Sequence, residues 1–88
     1  MKVQFTPNGW ADYLGWIKED AKRVHKLNTL IEDVRRSPFK GLGKPEPLKG
    51  DRAGWWSRRI TDEDRLVYRI TGTAEAQQVE VAQCRGHY

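Results

Sequence analysis

At 88 residues the chain has room for one domain, 1–88, and little for a second core. With 38% hydrophobic and 32% charged residues it reads as a globular chain with a wet surface, and the single Cys84 excludes an internal disulfide. The net charge of +4 favours polyanions or an acidic partner, and no apolar run has the length of a secretory leader or a membrane span, so a cytoplasmic protein is expected.

Lys2–Thr6 alternates polar and apolar residues and predicts a short strand. Thr6-Pro7 is a helix start, a capping hydroxyl followed by proline at the first helical position. Trp10, Tyr13, Leu14 and Ile17 then recur at helical spacing, and Glu19-Asp20 breaks the pattern. A second helix is predicted from about Asp20 to Arg36, with Val24, Leu27, Ile31 and Val34 as one apolar stripe and Leu30 beside it. Lys22, Lys26, Glu32 and Arg36 make its solvated face, His25 reads as structural, and Ser37-Pro38 stops it.

Residues 38 to 54 show no period and are punctuated by glycine and proline, which reads as a long loop. Strands resume at 55–60 and 65–70, joined by the turn Thr61-Asp62-Glu63-Asp64. A polar connection from Thr71 to Gln77 leads to a last strand over 78–85. Short connections imply an antiparallel meander. The expected fold is α+β: an N-terminal strand and a two-helix hairpin packed on an antiparallel sheet.

The chemistry-bearing residues are Glu46, the arginines and the final His87-Tyr88. Pro45 and Pro47 confine Glu46 to a narrow range of positions, which suits either a presented carboxylate or merely a stiff loop. Arg59 and Arg65 can meet on one sheet face, where they need an offsetting anion: a phosphate, or the turn acids Asp62, Glu63 and Asp64. Trp55 and Trp56 read as core or interface rather than base-stacking platforms. His87 follows a strand-like run directly, so the end of the chain either frays or holds a titratable group in place. A rigid carboxylate, convergent arginines and a histidine are what RNA strand cleavage needs: a base for the ribose 2′-hydroxyl, cations for the phosphorane, an acid for the leaving 5′-oxygen. With His25, His87 and one cysteine as the soft ligands, a zinc site has no support, and neither has a serine or cysteine nucleophile triad.

Arg35-Arg36-Ser37-Pro38-Phe39, Gly41-Leu42-Gly43-Lys44-Pro45-Glu46-Pro47-Leu48-Lys49, Trp56-Ser57-Arg58-Arg59-Ile60-Thr61 and His87-Tyr88 closely resemble the YoeB toxins of the RelE/ParE superfamily. The resemblance includes the Trp10-x-x-Tyr13-x-x-Trp16 helix. It implies a RelE-like microbial RNase fold and a ribosome-dependent endoribonuclease that cuts mRNA in the ribosomal A site without a metal or other cofactor. Matched residue by residue, it implies Glu46 as general base, His87 as general acid, Arg65 as stabiliser of the phosphorane and Tyr88 as part of the terminal catalytic pair, orienting RNA or supporting His87. Lys49, Arg58, Arg59 and Glu63 are implied RNA contacts. A homodimer and a Phd/YefM-type antitoxin, whose disordered tail folds over the site, are the implied partners. The connection from Thr71 to Val79 departs from the family by being longer than its usual hairpin. Two rivals make different demands. A superfamily toxin that binds and poisons DNA gyrase does not need the Glu46/His87 pair. A plain RNA-binding module holding phosphates through Arg58, Arg59 and Arg65 yields salt-sensitive binding and no product.

Overall fold

The computed structural model describes residues 1–87. Its elements in chain order are β1 (Lys2–Phe5), α1 (Pro7–Glu19), α2 (Ala21–Arg36), β2 (Glu46–Pro47), a 3₁₀ turn (Gly50–Arg52), β3 (Trp56–Arg59), β4 (Arg65–Thr73) and β5 (Ala76–Gln83). The strands form one five-stranded sheet in the order β1-β5-β4-β3-β2.

The sheet is mixed, which corrects the expected antiparallel arrangement. β2 to β5 pair antiparallel, but β1 runs parallel to β5, with Val3 opposite Val79 and Phe5 opposite Val81. Short connections dictate the direction only of strands joined locally. β1 is separated from β5 by the whole helical hairpin and the meander, the kind of long crossover that parallel pairing requires. Thr6 N–H extends the ladder to the Val81 carbonyl at 2.9 Å, and the next residue is already helical.

Both helices start as their sequences dictate. The Thr6 hydroxyl accepts from Gly9 N–H (3.1 Å), and Pro7 opens α1. Asp20 serves two helices: its N–H closes α1 on the Trp16 carbonyl, and its carboxylate accepts from the N–H groups of Lys22 and Arg23 to start α2. α2 buries Leu27, Leu30, Ile31 and Val34 in a core shared with Leu66, Tyr68, Val79 and Val81. Each such side chain contributes about 1.5–3 kcal/mol. His25 is exposed, so it belongs to the outer face of α2 rather than to the packed side.

α1 packs differently from its pattern. Trp16 is buried and donates its indole N–H to the Cys84 carbonyl (2.8 Å), whereas Trp10, Leu14 and Ile17 remain 46–53% exposed. The helix meets the sheet through its smallest residue: a Cβ on Gly9 would stand 2.4 Å from the Val81 carbonyl oxygen.

The aperiodic segment after α2 contains structure that its pattern conceals. Glu46 and Pro47 pair with Ser57 and Trp56 as a short edge strand. The expected connection 71–77 is mostly strand: β4 runs to Thr73 and β5 starts at Ala76. In β5 one residue bulges. Val67 pairs with Gln83 and Tyr68 with Val81, leaving Ala82 unmatched, and the Ala82 carbonyl accepts from the Thr6 hydroxyl (3.3 Å) and the Asn8 amide (3.1 Å). The extra residue shifts the alternation, so Val79, Val81 and Cys84 are core while Gln83 joins the row of Val67. Among the described residues no helix is long and apolar enough to cross a membrane.

Candidate active site

The sheet has two faces of opposite character. Leu66, Tyr68, Val79 and Val81 turn to the helices. Residues on the alternate positions of β2, β3 and β4 turn the other way. On that second face the registers line up a row across four strands: Glu46 opposite Ser57, Ser57 opposite Val67, Val67 opposite Gln83, with Ser57 and Val67 buried in its middle. Three strand spacings of about 4.8 Å put the row's ends roughly 14 Å apart in backbone. Glu46, on the exposed edge strand, stands at one end. At the other end Gln83 donates its amide to the carbonyls of Arg85 (3.0 Å) and His87 (2.9 Å).

A second pair follows one step along β3. Arg59 lies directly opposite Arg65. Like charges in facing positions repel. The offset is not the turn acids: neither arginine takes part in the ion pairs of the described residues. Arg65 donates instead to the carbonyls of Thr61 (2.6 Å), Asp62 (3.0 Å) and Asp64 (3.2 Å), which aim its guanidinium but leave its charge uncancelled. Arg59 is exposed. Lys49, also exposed, follows Glu46 by three residues at the start of the 3₁₀ turn. Glu63 is exposed in the turn between β3 and β4, its N–H given to the Thr61 hydroxyl (3.2 Å).

Asp64, expected as an arginine partner in the turn, has another use. One of its oxygens accepts from Arg23 of α2 (2.8 Å) and the Thr61 hydroxyl (3.1 Å), the other from Gly86 N–H (2.8 Å). Arg65 N–H closes on the Gly86 carbonyl (3.1 Å). Asp12 holds Cys84 N–H (3.1 Å), and Arg85 pairs with Glu19, which holds the guanidinium above its ordinary pKa. The segment bearing His87 is therefore anchored, and His87 itself is exposed. The role expected of Tyr88 lies outside the described residues.

Arg58 corrects the sequence reading. It is fully buried, so it offers no surface to RNA. Its guanidinium donates to Asp33 (2.6 Å), to the carbonyls of Ser37 (2.5 Å), Lys40 (2.9 Å) and Leu42 (3.1 Å), and to the Tyr68 hydroxyl (3.2 Å). Tyr68 in turn donates to the Pro38 carbonyl (2.6 Å). This hub folds residues 37–42 onto β3 and thereby delivers the edge strand that carries Glu46. The Leu42 N–H and the Arg58 guanidinium hold the Asp33 carboxyl below its usual range, while burial pushes the Tyr68 phenol up. Burial also pushes the Cys84 thiol up to about 12, which removes it as a nucleophile near neutral pH.

Trp55 and Trp56 are both half-buried. Trp56 packs on the core and against Phe39 (4.8 Å between centroids), and Trp55 lies beneath the Arg69 guanidinium (4.4 Å). Three functional supports escaped the sequence reading: Asp33, Arg23 and Gln83. Only strand alternation, which makes adjacent Arg58 and Arg59 face opposite ways, hinted at the first.

Known proteins share this fold and much of its sequence. A family model described as the YoeB-like toxin of bacterial type II toxin-antitoxin systems matches residues 5–88. A Streptomyces coelicolor protein, Toxin YoeB, is 51% identical over 88 residues, covering 100% of both chains. A YoeB/ParE toxin from Agrobacterium tumefaciens superposes with a TM-score of 0.95 at 57% identity, covering 100% of both. From Staphylococcus aureus, a YoeB dimer and a heterotetrameric YoeB-YefM complex each give a TM-score of 0.88 at 36% identity, covering 100% of this chain and 98% of that one. The two helices on one face of the mixed sheet are thus the fold of the RelE/ParE-type toxins. Within that class the chain belongs to the YoeB toxins of type II toxin–antitoxin systems.

Proposed function

We propose that the chain is a ribosome-dependent endoribonuclease that cleaves mRNA in the ribosomal A site. The observation that carries this reading is the row on the sheet face away from the helices: a carboxylate at one end, the anchored His87 segment at the other, and alongside it two arginines that make no ion pair among the described residues. Glu46 takes the proton of the ribose 2′-hydroxyl, whose oxygen attacks the adjacent phosphorus. Arg65, aimed by its three carbonyls, stabilises the phosphorane, and Arg59 and Lys49 hold flanking phosphates. His87 gives its proton to the departing 5′-oxygen, leaving a 2′,3′-cyclic phosphate and a 5′-hydroxyl. Tyr88 supports His87, and Glu63 contacts RNA from the turn. Each role falls to a side chain, so the reaction needs no metal or other cofactor. Arg58 has no RNA role here: it holds the base-bearing segment.

The partners in this reading are the ribosome and mRNA, a second copy of the chain, and a Phd/YefM-type antitoxin. The Staphylococcus aureus dimer and YoeB-YefM complex support the last two. The ribosome as target places the toxin in the cytoplasm. The test is primer extension on mRNA in a translation reaction with wild type, His87→Ala and Glu46→Ala, and on naked mRNA. Cuts within the A-site codon, confined to wild type with ribosomes, are expected. Folded protein that stops growth without cutting in any lane would reject the nuclease and favour a bound target such as gyrase.

A further inference from the structure

Gln83 holds a place that no role above accounts for. Its side chain lies on the sheet face away from the helices, at the end of the row that begins with Glu46. Its amide nitrogen reaches three successive carbonyls: Arg85 (3.0 Å), Gly86 (3.4 Å) and His87 (2.9 Å). In an extended chain successive carbonyls point to opposite sides, so three can meet one donor only where the backbone curls. Gly86, at φ +76°, supplies the curl. The amide has two hydrogens, which satisfy the two short contacts and leave the longest one shared. Its oxygen accepts from Arg52 (3.4 Å), which fixes which end of the amide faces the tail. Arg52 belongs to the 3₁₀ turn just after Glu46, Pro47 and Lys49.

The anchors divide along the tail. Gly86 is held without Gln83, its N–H by Asp64 and its carbonyl by Arg65 N–H. His87 is different: among the described residues its carbonyl is held by Gln83. We infer that Gln83 is a positioning residue for the general acid, gathering the last turn of the tail so that the His87 ring faces the leaving oxygen, and tying it through Arg52 to the segment that carries the base. The inference rests on the reading of His87 as the acid.

A leaving group that needs no acid isolates this role. Replacing the bridging 5′-oxygen at the scissile bond by sulfur makes the departing group a stable thiolate, so protonation no longer limits the step. Gln83→Leu removes both functions of the amide. Gln83→Glu keeps the size and the bond from Arg52, removes the donors, and carries the test if the leucine variant unfolds. On ordinary ribosome-bound mRNA each variant slows single-turnover cleavage by on the order of 10-fold, with ribosome affinity and melting temperature unchanged. On the 5′-thio mRNA the deficit shrinks to within about two-fold of wild type, as it does for His87→Ala. An equal deficit on both substrates, or none on the ordinary one, overturns the role of Gln83. If the thio substrate restores His87→Ala but not the Gln83 variants, only this inference fails. If it does not restore His87→Ala, the acid assignment fails and this inference with it.

Discussion

Arg58 and Asp33 form a pair in which one member is fully buried and the other is not. Such a pair does its work through the hydrogen bonds around it, here those to three backbone carbonyls and from the Leu42 N–H. The lowered pKa of Asp33 gives the pair a sign that can be measured. A carboxyl whose folded pKa is depressed contributes stability above its unfolded value, near pH 4, and loses it as pH falls through the folded value. Asp33→Asn should therefore destabilise the neutral protein by about 1–3 kcal/mol in urea unfolding, with the gap to wild type closing as pH drops below about 4. A gap of constant size from pH 7 to pH 3 would show that shape, not charge, holds the 37–42 segment. The buried arginine was legible in part. Alternation puts Trp56, Arg58 and Ile60 on one side and Arg59 on the other, so two adjacent arginines cannot both face a ligand. What alternation cannot supply is Asp33, a residue of another element that meets Arg58 only after folding.

At the scale of elements, the helices were readable where their signals are local. The Thr6 and Asp20 caps and the α2 stripe act within a few residues, and the structure keeps all of them. α1 was readable as a helix but not in its orientation. Its largest apolar residues suggested one contact face, whereas the sheet is met by Gly9 and Trp16. The reason is distance. β1 delivers the chain to α1 within one residue, so the helix start lies so close to β5 that only a glycine fits. Substitutions on the two faces should separate accordingly. Gly9→Ala drives a methyl into the Val81 carbonyl and should cost about 1–3 kcal/mol or more, read as a lowered melting temperature. Ile17→Lys, on the exposed side, should change stability by no more than about 0.5 kcal/mol. If the two variants melt alike, α1 is not seated on β5 as described. The edge strand β2 was illegible for a related reason: with two residues and a proline it has no period, and it exists only because β3 offers it a ladder.

For the molecule as a whole, the site is a product of non-local pairing. Its residues were individually visible in the sequence, since Glu46 sits between prolines, arginines punctuate β3 and β4, and histidine follows a strand. Their meeting was not visible. Glu46 and His87 are separated by most of the C-terminal half of the chain, and the β2–β3 and β4–β5 registers together with the Gln83 and Asp64 anchors bring them to one face. The same assembly gives the two facing arginines different settings, and the proposed function turns that difference into a measurable one. Arg59 is exposed and makes no ion pair among the described residues, so it should act as a flanking phosphate contact: Arg59→Ala weakens ribosome binding and lowers the slope of log affinity against log salt by about one, with single-turnover cleavage at saturation nearly unchanged. Arg65 is aimed by three carbonyls before any substrate arrives, and preorganised charge acts where charge develops. Arg65→Ala should thus slow single-turnover cleavage by about 10²–10³-fold and change binding far less. The converse pattern, with Arg59 controlling rate and Arg65 controlling affinity and its salt slope, would place the scissile phosphate over Arg59 and move the reacting centre toward the open edge of β3.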